Sequence, residues 1–154
     1  MTRKILGVII GYIAIAAFMF LTFTTLYLIL GTEGAFEPSS FHVSVSWISF
    51  SIILTFLAAL VGGYVCLIIS KDKKTVMILA AIVFVLGIIF AIPKLGGYNE
   101  IKNQVRESTL SNMEAMNMAA QPDFILLLTP IVGAAGVVMG FRFKKKNESE
   151  VNLA

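Results

Sequence analysis

The sequence predicts an all-α membrane protein, an antiparallel bundle of four transmembrane helices with one short extracytoplasmic helix between spans three and four. Composition is the first observation behind this prediction: 58% of the 154 residues are hydrophobic, 14% are charged, and the mean hydropathy is +0.90. Soluble domains carry about 25% charged residues. The second observation is that the apolar residues form four runs, each close to the roughly 20 residues that cross a ~30 Å hydrocarbon core. We therefore expect a single membrane domain over residues 1–154.

A strongly charged tetrapeptide, Lys71-Asp72-Lys73-Lys74, separates the second predicted span (residues 46–69) from the third (residues 75–93). So short a link permits only antiparallel helices, and its three lysines favour the cytoplasmic side by the positive-inside rule. We therefore predict that residues 70–74 form a cytoplasmic loop, and the other spans are oriented from this hairpin.

The first predicted span covers residues 5–30 and follows Arg3 and Lys4, which place the N-terminus in the cytoplasm. This run is much longer than the apolar core of a secretory signal peptide, and Glu33 stands where a cleavage site needs a small residue, so we expect no cleavage. Residues 31–45 contain no Lys or Arg and are predicted to form an extracytoplasmic loop. The alternation of polar and apolar residues over 42–47 also favours an extended segment before the second helix.

The second extracytoplasmic loop is predicted over residues 94–123. Ser111-Asn112-Met113-Glu114 has the form of a capping box, which predicts a short helix that ends near Ala120. Pro122 and Asp123 suit the start of the fourth span, residues 124–141. A re-entrant fourth segment stays open as an alternative, because Pro130 and three glycines interrupt it. Residues 147–154 are predicted to be a disordered tail.

The distribution of basic residues supports four spans with both termini in the cytoplasm. Nine of the twelve Lys and Arg residues fall on the cytoplasmic side of this layout, and Lys94, Lys102 and Arg106 fall on the other. Because they lie beside apolar runs and form no single patch, we expect no nucleic-acid partner. The lipid bilayer is the expected partner, together with a second copy of the chain or another membrane protein.

Small residues predict where the helices pack, because lipid provides no hydrophobic drive between helices and close backbone approach must supply van der Waals contact. Gly-x-x-x-Gly or Ala-x-x-x-Gly patterns occur at Gly7, Gly11, Ala58, Gly62, Gly136 and Gly140. All of them lie in the predicted cytoplasmic half. We therefore expect tight packing there, a wider outer half, and better cross-linking between cysteines at positions 11 and 136 than at 27 and 125.

No Asp, Glu, Lys, Arg or His occurs in the middle of any predicted span. Such groups mark proton relays and intramembrane catalysis, so the sequence favours neither an enzyme nor a proton-coupled transporter, and we expect no cofactor. One soft-metal alternative exists. Thioethers at Met113, Met116 and Met118, with His42 from the first loop, have the chemistry of a Cu(I) site.

The stretches Gly62-Gly63-Tyr64-Val65-Cys66 and Asn112-Met113-Glu114-Ala115-Met116 complete the layout, and with them the chain resembles small uncharacterised bacterial four-span membrane proteins. This resemblance implies a bacterial plasma membrane and carries no known activity. We predict a non-enzymatic accessory or interaction subunit. The alternatives are a small uncoupled transporter or channel, which would use the serine and threonine faces of the first two spans and a bend at Pro130, and an extracytoplasmic Cu(I)-binding module.

Overall fold

The computed structural model of the protein describes residues 1–97 and 110–151, without the side chains of residues 143–151. Predictions on residues 98–109 and 152–154 therefore lie outside the described residues. Its helices are α1 (Thr2–Ala35), α2 (Val45–Ser70), α3 (Lys73–Ala91), α4 (Asn112–Met118) and α5 (Asp123–Val151), and a 3-10 turn, Ile92–Lys94, extends α3. In the described chain, α1, α2, α3 and α5 are long and apolar enough to cross a membrane. This confirms the predicted all-α membrane bundle.

The long helices alternate in direction, which gives the bundle two distinct ends. The basic end contains residues 1–4, 70–74 and 142, and the loop end contains residues 31–44, 92–97 and 110–123. At the basic end, the Nζ atom of Lys4 lies 2.7 Å from Oδ2 of Asp72. Asp72 is also the N-cap of α3, where its side chain accepts a hydrogen bond from the backbone N–H of Lys74 at 3.1 Å. The Lys4 side chain and this N–H lower the pKa of Asp72 below its ordinary value.

The helix α2 lies between α1 and α5 and contacts each of them through small residues on a different face. A Cβ atom added at Gly11 would lie 2.9 Å from the Cβ of Cys66 and 3.0 Å from the carbonyl oxygen of Gly62. On the other face, a Cβ at Gly63 would collide with the carbonyl oxygen of Val137. Since Gly62 and Gly63 are about 100° apart around the helix, one Gly-Gly pair serves both interfaces.

The predicted packing residues all lie at these interfaces. Gly7 faces Ser70, Gly11 faces Cys66, and Gly62 faces Ile15, while Ala58 is fully buried. Across the other face of α2, Gly136 meets Ala59 and Gly140 meets Leu60.

The contacts of Gly11 and Gly136 do not favour the predicted cross-link between positions 11 and 136, because each residue packs against α2; its comparison with positions 27 and 125 stays a prediction. Gly11 contacts the α2 face that carries Gly62 and Cys66, whereas Gly136 contacts the face that carries Ala59. The sequence patterns show that both residues need close neighbours, but spacing alone does not say that the neighbour is α2 in each case.

The helix α3 packs chiefly against α5, although the short turn at Lys71 and Asp72 connects it directly to α2. A Cβ at Gly87 would lie 2.8 Å from the Cβ of Pro130, so the proline of α5 fits against a glycine of α3. The antiparallel hairpin agrees with the sequence prediction, but the main packing partner of α3 differs from its neighbour in sequence. Both interfaces of α2 that carry glycine are already occupied, by α1 and α5.

Several boundaries differ from those predicted. α1 continues past residue 30 to Ala35, but Gly31 interrupts it with φ 64° and ψ −175°, a left-handed conformation that favours glycine. The membrane-length part therefore still ends where the apolar run ends. α2 begins at Val45, one residue earlier than predicted, and Ser44 is its N-cap. α5 continues to Val151, where the sequence predicted a disordered tail from residue 147.

Candidate functional site: a cavity at the loop end

A cavity of about 580 Å³ lies at the loop end, between α1, α2 and α5 and beneath α4. We call it the loop-end cavity. Its volume is within the range of small-molecule sites, about 300–1,000 Å³. Its wall is mostly apolar and comes from α1 (Ala16, Met19, Phe20, Phe23, Thr24, Tyr27), α2 (Trp47, Ser51, Thr55), α5 (Leu126, Thr129), α4 with the residues after it (Asn112, Ala115, Met116, Asn117, Met118, Ala119, Ala120, Gln121), the first loop (Ala35, Phe36, Val43) and the end of α3 (Lys94, Gly97).

Aromatic rings hold α1 and α2 together beside the cavity. Trp47 makes edge-to-face contacts with Phe23, at a centroid distance of 5.9 Å, and with Tyr27, at 6.2 Å. Such pairs add roughly 0.5–1.5 kcal/mol beyond the area that they bury. The cavity wall on this side is therefore fixed by packed rings.

The helix α4 forms the roof and is held by specific hydrogen bonds. Its capping box is complete, because the side chain of Ser111 accepts from the N–H of Glu114 while the carboxylate of Glu114 accepts from the N–H of Ser111. The hydrogen bond that the carboxylate accepts from the Ser111 N–H, followed by the one it accepts from the Ser111 hydroxyl at 2.8 Å, lowers the pKa of Glu114 below its ordinary value. The amide of Asn112 donates to Oγ1 of Thr24 at 3.2 Å, and the Tyr27 hydroxyl donates to the carbonyl of Leu110 at 2.7 Å. The roof is therefore attached to α1.

The roof continues as an extended segment that pairs with the first loop. The N–H of Ala120 donates to the carbonyl of Phe41 at 3.0 Å, and the N–H of Val43 donates to the carbonyl of Ala120 at 3.1 Å. This pairing explains why α4 ends at Met118 and does not reach Ala120 as predicted. Of the extended segment predicted over residues 42–47, His42 and Val43 are paired with other chain segments, whereas the residues from Val45 onward are helical because Ser44 caps α2.

Two hydroxyl groups of the cavity wall are hydrogen-bonded to their own helices. Ser51 donates to the carbonyl of Ile48 at 2.8 Å, and Thr129 donates to the carbonyl of Ile125 at 2.8 Å. Because helical Ser and Thr can bond to the preceding turn in this way, these two positions do not require a polar ligand. Most of the other lining residues are apolar, so the deep part of the cavity is largely apolar.

The lining near the loop end contains polar groups and a positive charge. Among the described residues that line the cavity, Lys94 is the one charged side chain, and Asn117 and Gln121 add amide groups from the roof. Lys94 takes part neither in the ion pair of Lys4 with Asp72 nor in the 3.9 Å contact of His42 with Glu37. The carboxylate of Asp123 accepts instead from the backbone N–H of Gly96 at 3.0 Å.

The predicted soft-metal ligands do not share one face. Met116 and Met118 line the cavity whereas Met113 does not, and two helical steps place Met118 about 160° around α4 from Met116. His42 is buried at 7% exposure, and its Nδ1 lies 3.9 Å from a carboxylate oxygen of Glu37. Among the described residues there is also no cluster of three or more His, Cys, Asp or Glu that could hold a metal ion.

Sequence reasoning did not identify Tyr27 and Trp47 as residues of a site. The signal that could have found them is weak: Ala16, Phe20, Phe23 and Tyr27 recur at helical spacing, but in an apolar span such a stripe looks the same as a lipid-facing one. Only contacts from α2 and α4 separate the two cases.

The cavity can bind a molecule through complementary shape and van der Waals contact. The side chains of Lys94, Asn117 and Gln121 can orient a polar end of that molecule. No family model matches the sequence, and neither a curated protein nor a solved structure is similar to it.

Proposed function

We propose that the protein is a non-enzymatic accessory protein of a bacterial plasma membrane that binds a membrane-soluble molecule in the loop-end cavity. A membrane-protein partner or a second copy of the chain would share that molecule with it. The observation that carries this proposal is the cavity itself, about 580 Å³ between three membrane helices and a hydrogen-bonded roof. Its pre-formed, largely apolar wall with a few polar groups at one end is typical of ligand sites.

Two adjacent alanines provide a matched test. Ala16 lines the deep part of the cavity and Ala17 does not, although both are exposed on α1. The full chain is purified from its membrane in a mild detergent and weighed by native mass spectrometry. We expect a non-covalent adduct on the wild type and on Ala17→Phe that is lost from Ala16→Phe, because the new ring occupies the cavity. Absence of an adduct from the wild type, or equal adducts on both variants, would contradict the proposal.

We further propose that both termini and the Lys71–Asp72 turn lie in the cytoplasm. The ion pair between Lys4 and Asp72 supports a shared location for the N-terminus and the turn, and the excess of basic residues at that end supports the cytoplasmic side. Reporter fusions at residue 72 and after the C-terminus should both report the cytoplasm. A periplasmic signal from either fusion would overturn this topology.

A second candidate is a small uncoupled transporter, and one observation favours it. The cavity wall includes Thr24, Ser51 and Thr55, which belong to the hydroxyl faces of the first two spans that a transport path was predicted to use, and Thr129, which precedes the predicted bend at Pro130. Towards the basic end, close contacts of Gly11 and Gly62 fill the bundle between α1 and α2. A transporter would have to open these contacts.

A disulfide between Gly11→Cys and native Cys66 would lock them closed. It should abolish the flux of the transported molecule across the membrane of vesicles that contain the protein, whereas ligand binding alone would persist.

A further inference from the structure

We propose that the loop-end cavity takes one acyl chain of an anionic phospholipid, with the lipid phosphate at Lys94. This inference rests on the proposed binding function and names the ligand class for the same cavity. Depth, access and charge each support it.

The depth of the cavity matches one leaflet of a bilayer. On α1 the lining residues extend from Ala16 to Tyr27, and on α2 from Thr55 to Trp47. At 1.5 Å per residue these stretches correspond to about 16 Å and about 12 Å. Half of a ~30 Å hydrocarbon core is about 15 Å. A chain that enters at the loop end would therefore reach the bottom of the cavity at the middle of the membrane.

Access to the cavity is from the side. The walls belong to α1, α2 and α5, and α3 contributes only Lys94 and, beyond its end, Gly97. Over the described residues, the body of α3 therefore does not close the side of the cavity opposite α2. Phe20 lies at this open edge and is 60% exposed. A lipid can enter here directly from its leaflet.

A transmembrane helix of a partner fits the cavity less well than a lipid chain does. The roof, α4 and residues 119–121, covers the loop end, and the glycine contacts of α1 with α2 close the cavity at half depth. A spanning helix needs about 30 Å of open groove. The cavity offers about half of that length.

The charge at the mouth selects the headgroup. Lys94 lies at the end of α3, where long basic side chains reach the interface, and it lines the cavity together with the amide residues Asn117 and Gln121 of the roof. A phosphate at this position would gain a cation and hydrogen-bond donors together. The Ser51 and Thr129 hydroxyls deeper in the wall bond to their own helices and most of the other lining residues are apolar, so the tail meets a largely apolar surface.

The test uses Trp47, the one tryptophan of the chain, which lines the cavity. The full-length protein is reconstituted in phosphatidylcholine vesicles that contain a small fixed share of a lipid brominated on the upper part of one chain. That lipid is either phosphatidylglycerol or phosphatidylcholine. Bromine quenches tryptophan on contact, so quenching measures how often each lipid occupies the cavity. We expect about fivefold preference for phosphatidylglycerol, the factor that corresponds to about 1 kcal/mol for one lysine near an anionic surface.

Variants distinguish a specific site from a general surface effect. Lys94→Gln should lower quenching by phosphatidylglycerol to the phosphatidylcholine level, whereas Lys71→Gln, at the basic end, should leave it unchanged. Ala16→Phe should reduce quenching by both lipids, and Ala17→Phe should not. Equal quenching by the two lipids in the wild type, or no effect of Lys94→Gln, would overturn the inference.

The outcome separates this inference from the proposed function. If Ala16→Phe removes a bound adduct in mass spectrometry while the two brominated lipids quench Trp47 equally, the cavity binds another molecule and only the lipid assignment fails. If Ala16→Phe changes neither the adduct nor the quenching, both fail.

Discussion

The substitution Gly63→Ala tests the contact between α2 and α5 most directly. A Cβ at this position would meet the carbonyl oxygen of Val137 and would lie 2.9 Å from both its carbonyl carbon and its Cα. All three atoms belong to the backbone of α5, so no side chain can rotate away. The two helices must move apart.

The size of the effect follows from that displacement. Ordinary Cβ contacts lie at 3.4–4 Å, so α2 and α5 must separate by about 1 Å. A gap of 0.5–1 Å removes roughly a quarter to a half of the dispersion attraction of each contact. Overpacking in cores typically costs about 1–3 kcal/mol. In lipid no hydrophobic term compensates, because the bilayer is as apolar as the interface.

Gly133→Ala is the matched control. It has the same gain in helix propensity, but its Cβ would meet only a methyl group of Val83, at 3.2 Å. We expect Gly63→Ala to be about 1–3 kcal/mol less stable than Gly133→Ala. The measurement is equilibrium unfolding in mixed micelles with increasing dodecyl sulfate, followed by Trp47 fluorescence. Equal stability of the two variants would refute the close approach of α2 and α5.

Three further predictions concern other contacts. Gly11→Cys should form a disulfide with native Cys66 under mild oxidation, and Gly136→Cys should not, since only position 11 faces that residue; free thiols are counted before and after oxidation. Asp72→Asn should remove an acid transition: the folded-state pKa of Asp72 is lowered, so its stabilising contribution is complete above its ordinary value and is lost as pH falls through the lowered one. Thermal unfolding against pH measures this. Ser111→Ala should destabilise α4 by about 1 kcal/mol, which amide hydrogen exchange over residues 112–118 will detect.

Each of these has a clear contrary result. A disulfide between Gly136→Cys and Cys66 would mean that the α2 face that carries Cys66 packs against α5, which contradicts the structure. An acid transition retained in Asp72→Asn would assign it to another carboxylate. Unchanged exchange over α4 in Ser111→Ala would mean that the hydrogen bonds of Tyr27 and Asn112 hold the roof without the capping box.

The sequence predicted correctly those features that depend on residues close together in the chain. The capping box at Ser111 and Glu114 forms as predicted, because it needs only residues three apart. The apolar run ends at residue 30, next to the break in α1 at Gly31. Outside the hydrocarbon core, water can hydrogen-bond to backbone groups, so the helix does not have to be continuous there. The end of α4 was not predictable in the same way, because the pairing partner of Ala120 is distant in sequence.

The site depends on contacts that no local pattern describes. The sequence predicted tight packing in one half and a wider other half; the contacts of Gly7, Gly11 and Gly140 lie in the first half and the loop-end cavity in the second, although Gly87 also packs closely against Pro130 there. It did not indicate that Tyr27 and Asn112 would join α1 to α4. It also did not indicate that Met116 and Met118 would line the cavity and that Met113 would not.

By itself, the sequence determined four apolar helices, their alternating direction and the residues that permit close approach, because hydrocarbon length, backbone hydrogen bonding and residue size act on each segment independently. Only the tertiary structure decided that α2 lies between α1 and α5 and that α3 packs against α5. A glycine pattern indicates that another helix packs closely at that position, but it does not identify the helix. Which helix packs there depends on how all four helices fit together. The cavity is a consequence of that choice.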